Sequence, residues 1–219
     1  MDIRKVNLAD EGDFEINDLM AIEEIIARRL KKGDRVLSLG GDHSVTFPIL
    51  KAYTSFYPDI EILHIDAHPD LYDELEGDKL SHACPFARIM EAAPSVRLVQ
   101  MGIRTLNAHQ KAQSEKFGTE IIEMKDFQNG LRPVFKKPLY ISIDLDGIDP
   151  AFAPGVSHHE PGGFSAREVI DLIGGIRVPV VGADVVEYNP DRDVSGITSA
   201  LAGKLVKEVL SIMVENGRT

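Results

Sequence analysis

The chain contains no tryptophan and a single cysteine, Cys84, in 219 residues. One thiol cannot close an internal disulfide or build a thiolate zinc site. Any bound metal would have to be held by histidine and carboxylate, and a reducing, cytoplasmic setting is the expectation. Positive charge is also scarce. Lys and Arg number 24 against 35 Asp and Glu, a formal net charge of −11, which argues against a sequence-independent grip on nucleic acid or on an anionic membrane. No stretch approaches the roughly 20 apolar residues of a membrane span. The opening Met1-Asp2-Ile3-Arg4-Lys5 lacks the apolar run of a signal peptide. What remains is an ordinary globular composition, 43% hydrophobic and 27% charged, long enough for one domain spanning residues 1–219.

No internal repeat, low-complexity tract or linker interrupts the chain. Short β-branched runs alternate with longer helical patterns, which predicts an α/β fold: three αβα layers around a mostly parallel sheet. Strands are expected at 35–39, 60–65, 96–103, 119–123, 139–145 and 178–186, and helices at 16–32, 45–56, 85–91, 108–117, 165–173 and 196–215. The first helix keeps Leu19, Ile22, Ile26 and Leu30 at helical spacing, with Gly33 as its stop. The last is apolar over much of its circumference (Ile197, Leu201, Leu205, Val206, Val209, Leu210, Met213), so it packs on the sheet or in a subunit contact.

In open parallel sheets ligands bind beyond the carboxyl ends of the strands, which singles out the polar residues that directly follow an apolar run. Leu37-Ser38-Leu39 leads into Gly40-Gly41-Asp42-His43-Ser44, and Ile62-Leu63-His64-Ile65 into Asp66-Ala67-His68-Pro69-Asp70. Tyr140-Ile141-Ser142-Ile143 leads into Asp144-Leu145-Asp146, and the run ending in Val186 into Glu187. Extended backbone sends alternate side chains to one side, so Asp66, His68 and Asp70 can converge, as can Asp144 and Asp146. With His43 this gathers two imidazoles and four carboxylates, a crowding of like charge that needs a compensating cation. Two divalent ions would provide it, and an oxygen-rich set with imidazole and no thiolate suits Mn²⁺ better than structural zinc. Such a pair can lower the pKa of water toward about 7, which points to hydrolysis. Asp-x-His-x-Asp alone is a weak signal, since Asp after a strand is often only a turn former. The coincidence of motifs at successive strand ends carries the inference.

His82 follows a polar loop that begins at the last of these residues; it either shuttles protons to a leaving amine or is an ordinary surface histidine. His64 lies deeper in its strand and reads as a hydrogen-bonded core residue, His109 as a residue on a solvated helix face, and Cys84 as a packed, inert thiol. His158 and His159 line a pocket or sit exposed. Glu187 is a salt bridge or helix cap, or, beside a metal site, an anion suited to a planar guanidinium that can bond a carboxylate twice.

Taken together, the Gly40–Ser44, Asp66–Asp70 and Ser142–Gly155 segments resemble, in order, the three metal-binding motifs of the ureohydrolases, the arginase and agmatinase family. The stretches 76–83, 86–91 and 156–163 are most similar to the plant-type arginase branch. The resemblance implies two Mn²⁺ ions held by His43, Asp66, His68, Asp70, Asp144 and Asp146, with His82 as proton shuttle and Glu187 as guanidinium anchor. It implies a small guanidino substrate, L-arginine or agmatine, cleaved to urea and a primary amine, and a homo-oligomer, trimer or hexamer. It also implies an additional N-terminal strand and crossover that are not recognisable here, so a shortened sheet is expected. Two other readings stand beside it: a non-catalytic, metal-stabilised subunit, and another two-metal hydrolase such as a phosphoesterase. The last would want cationic residues near the strand ends.

Overall fold

The structure is a computed structural model that describes residues 6–128 and 131–216; the polar opening at 1–5 lies outside them. Among the described residues six strands form one parallel sheet: β1 (Val36–Leu39), β2 (Glu61–Ile65), β3 (Arg97–Ile103), β4 (Glu120–Glu123), β5 (Leu139–Asp144) and β6 (Val180–Val186). Their spatial order is β1-β6-β5-β2-β3-β4, so the chain reverses direction across the sheet and leaves a crevice at the carboxyl ends of its central strands. Between them run α1 (Ala21–Lys31), α2 (Thr46–Phe56), α3 (Pro85–Ala92), α4 (Ala108–Phe117), α5 (Ala166–Gly174) and α6 (Ile197–Glu215).

Two apolar clusters, one on each face of the sheet, make the three layers. On one face Ile22, Ile26 and Leu30 of α1, Ile49 and Tyr53 of α2, and Phe86 and Ile89 of α3 pack on Ile62, Leu98 and Tyr140. On the other, Val169 and Leu172 of α5 and Leu205, Val209 and Met213 of α6 cover Leu63, Ile65, Ile141 and Ile143. The period-2 alternation of β2 and β5 therefore divides their side chains between two buried faces, which is why these strands read as near-continuous apolar runs. α6 settles the choice the sequence left open: its apolar stripe packs on the sheet.

The expected elements are all present, within a few residues at their ends. The largest difference is the start of α1, expected at residue 16 and observed at Ala21. Asp18 explains it: its carboxylate accepts the Met20 N–H at 2.9 Å, a local turn that competes with helix for the same backbone. α5 starts sharply because Ser165 and Glu168 form a reciprocal capping box.

Candidate metal centre

The residues singled out at the strand ends meet in one place. His43 follows β1 in a short 3-10 turn whose start is capped by the Asp42 side chain accepting the Ser44 N–H. Asp66, His68 and Asp70 follow β2, Asp144 ends β5, and Asp146 lies two residues on. The convergence is not simple strand alternation. The Asp66 carboxylate accepts the His68 N–H at 2.6 Å and the Asp144 carboxylate accepts the Asp146 N–H at 2.7 Å, so each Asp-x-His or Asp-x-Asp pair is wound into a turn by its own first side chain. Asp70 then turns its chain with φ +50°, a left-handed conformation that a residue with a Cβ adopts only when its surroundings impose it. Two glycines press on Asp66 from opposite sides. A Cβ on Gly102, where φ is +98°, would lie 2.7 Å from the Asp66 carbonyl oxygen, and one on Gly147 would lie 2.8 Å from its nitrogen.

Around His43 Nδ1 stand three carboxylate oxygens: Asp66 Oδ2 at 3.1 Å, Asp70 Oδ2 at 3.1 Å and Asp144 Oδ2 at 3.3 Å. None is aligned to accept an N–H from it, and Nδ1 is a buried nitrogen without a hydrogen-bond partner. One proton cannot serve three carboxylates, whereas a cation lying among them can be reached by the Nδ1 lone pair and every oxygen at once. The second imidazole repeats the arrangement: His68 Nδ1 lies 3.1 Å from Asp146 Oδ2 and 3.4 Å from Asp66 Oδ1. Asp66 thus presents one oxygen to each histidine and is suited to bridge two ions. Donor atoms of Asp66, His68 and Asp146 lie within 4.8 Å of one another, as do those of His43, His64 and Asp66. His64 is not counted with the donors, because both its ring nitrogens are taken. Gln100 Nε2 lies 2.6 Å from the Pro69 carbonyl, which can only accept, so that amide nitrogen also donates to His64 Nδ1 at 2.9 Å. His64 Nε2–H then donates to Asp66 Oδ2 at 2.7 Å. His64 is the buried, hydrogen-bonded residue expected, and it also orients a metal-binding carboxylate.

Electrostatics agree that positive charge belongs here. Burial opposes charge on His43, but the surrounding carboxylates of Asp144, Asp66 and Asp70 outweigh it and hold the imidazole well above its ordinary range. Burial likewise opposes charge on His68, and Asp146 and Asp66 push it up to about 12. Asp70 is raised to about 6 by burial and by the charge on Asp66. Burial also raises Asp144, reinforced by Asp146 and Asp66. Without metal, protons must do the neutralising.

The remaining candidates rim the site. Glu187 follows β6 with φ +65°, and its Oε1 accepts the His43 N–H at 2.9 Å; burial raises its pKa. An open cleft of about 770 Å³ lies alongside, lined by Asp18, Asp42, Ser44, Glu76, Asp78 and His82 among others, with no lysine or arginine in its described wall. His158 lies between the two groups: its ring stacks on His82 at 5.9 Å and meets His68 edge-on at 5.8 Å. His159 instead donates to the Pro154 carbonyl of its own loop. His109 is exposed and stacks on Tyr72. Cys84 is fully buried, its thiol pushed up to about 11 by burial, as an inert packed residue requires.

The sequence reading passed over the supports. Arg104 donates to the carbonyls of Asp146 and Gly147 at 2.7 and 3.3 Å and to that of Glu160, tying the His158 loop to the turn that carries Asp146. Asp184 and Ser142 lie behind His43: His43 Nε2 is 3.0 Å from Ser142 Oγ, which donates to Asp184 Oδ1 at 2.6 Å. Each of these polar residues is visible in the sequence, but their partners are not.

Comparison with known proteins follows the same line. A family model described as "Arginase: Arginase family" matches residues 1–211. "Arginase 1, mitochondrial" of Arabidopsis thaliana is 50% identical over 185 residues, covering 80% of this chain and 54% of that protein. The agmatinase of Bacillus anthracis is 35% identical, covering 95% of this chain and 76% of its own. The chain spans 54% to 66% of the length of the curated plant arginases it matches. Among solved structures, the arginase of Medicago truncatula superposes with a TM-score of 0.82 at 41% identity, over 90% of this chain and 67% of that one. The agmatine ureohydrolase of Thermoplasma volcanium gives 0.86 at 29% identity, over 98% and 76%.

Proposed function

The chain belongs to the arginase family, and on that premise we propose that it is a binuclear manganese ureohydrolase that cleaves L-arginine or agmatine to urea and a primary amine. The observation that carries this reading is the set of three carboxylates around His43 Nδ1, joined through Asp66 to a second imidazole–carboxylate group at His68. His43, Asp66, Asp70 and Asp144 would hold one ion, and His68, Asp66 and Asp146 would hold the other. When bound, the two ions offset the clustered negative charge and supply Lewis-acid activation of water at neutral pH.

The chain's own residues do the rest. Glu187, fixed by the His43 N–H, presents a partly buried carboxylate that a planar guanidinium can bond twice. Water adds at the guanidinium carbon, the bond from that carbon to the alkyl nitrogen breaks, and the departing amine takes a proton from His82 at the cleft wall, which recovers one from the added water as urea forms. Stacking on His158 holds the His82 ring. The acidic residues lining the neighbouring cleft support a cationic substrate over a phosphoester. A cytoplasmic setting and assembly into trimers or hexamers belong to the same proposal and rest on the lone cysteine and on the family resemblance respectively; light scattering tests the assembly.

The deciding experiment is urea release by Mn²⁺-loaded protein from arginine, agmatine and guanidinobutyrate. Turnover of arginine or agmatine, reduced by at least about 100-fold in Glu187→Gln, is expected if a charged anchor holds the substrate. Folded, metal-loaded protein that releases no urea from any of them would leave a metal-stabilised, non-catalytic subunit as the answer.

A further inference from the structure

A row of polar residues crosses the sheet one step below the metal centre. Asp184 of β6, Ser142 of β5, His64 of β2 and Gln100 of β3 are register partners in turn, one residue per strand, and all four are fully buried. The His64 and Gln100 end reaches Asp66. The other end reaches His43, and it is built around a carboxylate that packing does not account for.

Asp184 is wholly inside the protein, and its hydrogen-bond partners are three hydroxyls: Ser142 at 2.6 Å on Oδ1, and Tyr140 at 2.7 Å and Thr46 at 3.0 Å on Oδ2. An apolar side chain of similar size would fill this space without the cost of desolvating a carboxylate. The proton directions show what the charge can do. With Asp184 ionised, Tyr140 and Thr46 direct their protons at Oδ2, and Ser142 directs its only proton at Oδ1. Ser142 Oγ therefore meets His43 Nε2, 3.0 Å away, as an acceptor. His43 must then carry a hydrogen on Nε2, so its Nδ1 can meet a cation as a lone pair among Asp66, Asp70 and Asp144.

The geometry points to Asp184 as a positioning residue for metal binding: acting through Ser142, it fixes the tautomer and ring orientation in which His43 can ligate. This rests on the two-metal reading of the site. It makes a distinction that a merely structural role would not. Thr46 and Ser142 each give Asp184 one hydrogen bond, but only Ser142 reaches the His43 ring; Thr46 meets His43 through its backbone N–H alone, which Thr46→Val keeps. Losing either destabilises the same carboxylate, and only one loss should reach the metal.

The test is Mn²⁺ binding, measured by calorimetry or by competition with a metal-indicator dye, with no reliance on turnover. Ser142→Ala should weaken binding at the His43 position about 10- to 100-fold, Asp184→Asn about 10-fold, and Thr46→Val no more than about twofold. Adding Asp184→Asn to Ser142→Ala should weaken binding no further, because the carboxylate acts through the hydroxyl. Wild-type affinity in folded Ser142→Ala or Asp184→Asn protein would overturn the proposal, as would a loss in Thr46→Val equal to that in Ser142→Ala. The parent protein is measured first. If it binds no Mn²⁺, the metal reading falls and the relay falls with it, a result distinct from a failure of the variants.

Discussion

Binding of Mn²⁺ should release protons, and the structure sets how many. In the metal-free protein the carboxylates around His43 and His68 hold both imidazoles protonated at pH 7, His43 well above its ordinary range and His68 up to about 12. A metal takes only the neutral imidazole, so each ion should displace at least the imidazole proton, and its affinity should rise at least about tenfold per pH unit near neutrality. Between pH 6 and pH 8 that amounts to at least about 100-fold per ion. Stability follows with the matching sign. A histidine raised in the folded state contributes stability that is fully present below its unfolded value of about 6.5 and is lost as pH climbs toward the folded value. Asp70, raised to about 6 from 3.8, makes metal-free protein less stable as pH rises through that window. The metal-free protein should therefore weaken, and the benefit of Mn²⁺ grow, as pH rises from 5 to 8. With Mn²⁺ at about 100 times its Kd, one site adds about 2.7 kcal/mol. For a chain of this size that is about 5–10 °C in Tm. Calorimetric titration in two buffers of unlike ionisation enthalpy, with thermal unfolding in EDTA and in Mn²⁺, measures both quantities. Equal heats in the two buffers together with a pH-independent affinity would refute the reasoning, because the imidazoles would then be neutral before metal arrives.

Three further outcomes are expected. Asp144→Asn should lose Mn²⁺ at the His43 position and urea release together, read by elemental analysis alongside the urea assay; full metal occupancy would remove Asp144 from the ligand set. Gly147→Ala forces a Cβ to within 2.8 Å of the Asp66 nitrogen. It should cost about 2–3 kcal/mol in chemical denaturation and weaken Mn²⁺ binding as Asp66 shifts. Ser165→Ala removes one half of the capping box that starts α5, a hydroxyl that bonds Glu168 and none of the metal donors. It should lower stability by about 1 kcal/mol with Mn²⁺ affinity unchanged.

Much of the site was legible because its chemistry is local. His43, Asp66, His68, Asp70, Asp144 and Asp146 all stand on the short segments that follow an apolar run, and a parallel sheet places every such segment at the same edge. Glu187 was identified by the same logic and His82 by the polar loop that leaves Asp70; in the structure Glu187 accepts the His43 N–H, and His82 stacks on His158, whose ring meets His68. The mechanism of convergence was not legible. Alternation along an extended strand suggested that Asp66, His68 and Asp70 share a side, while the folded chain achieves it with side-chain-capped turns and a left-handed Asp70. The start of α1 differed for a related reason, a side chain of Asp18 competing for backbone hydrogen bonds.

The sequence by itself determined the layers, the strand ends that matter and the residue types able to hold metal, because hydrophobic period and residue chemistry are written along the chain. Only the tertiary structure decided which polar residues stand behind those ligands. Ser142, His64, Gln100 and Asp184 each look like an isolated interruption of an apolar strand. Strand register, a relation between distant segments, aligns them into one buried row beneath His43 and Asp66.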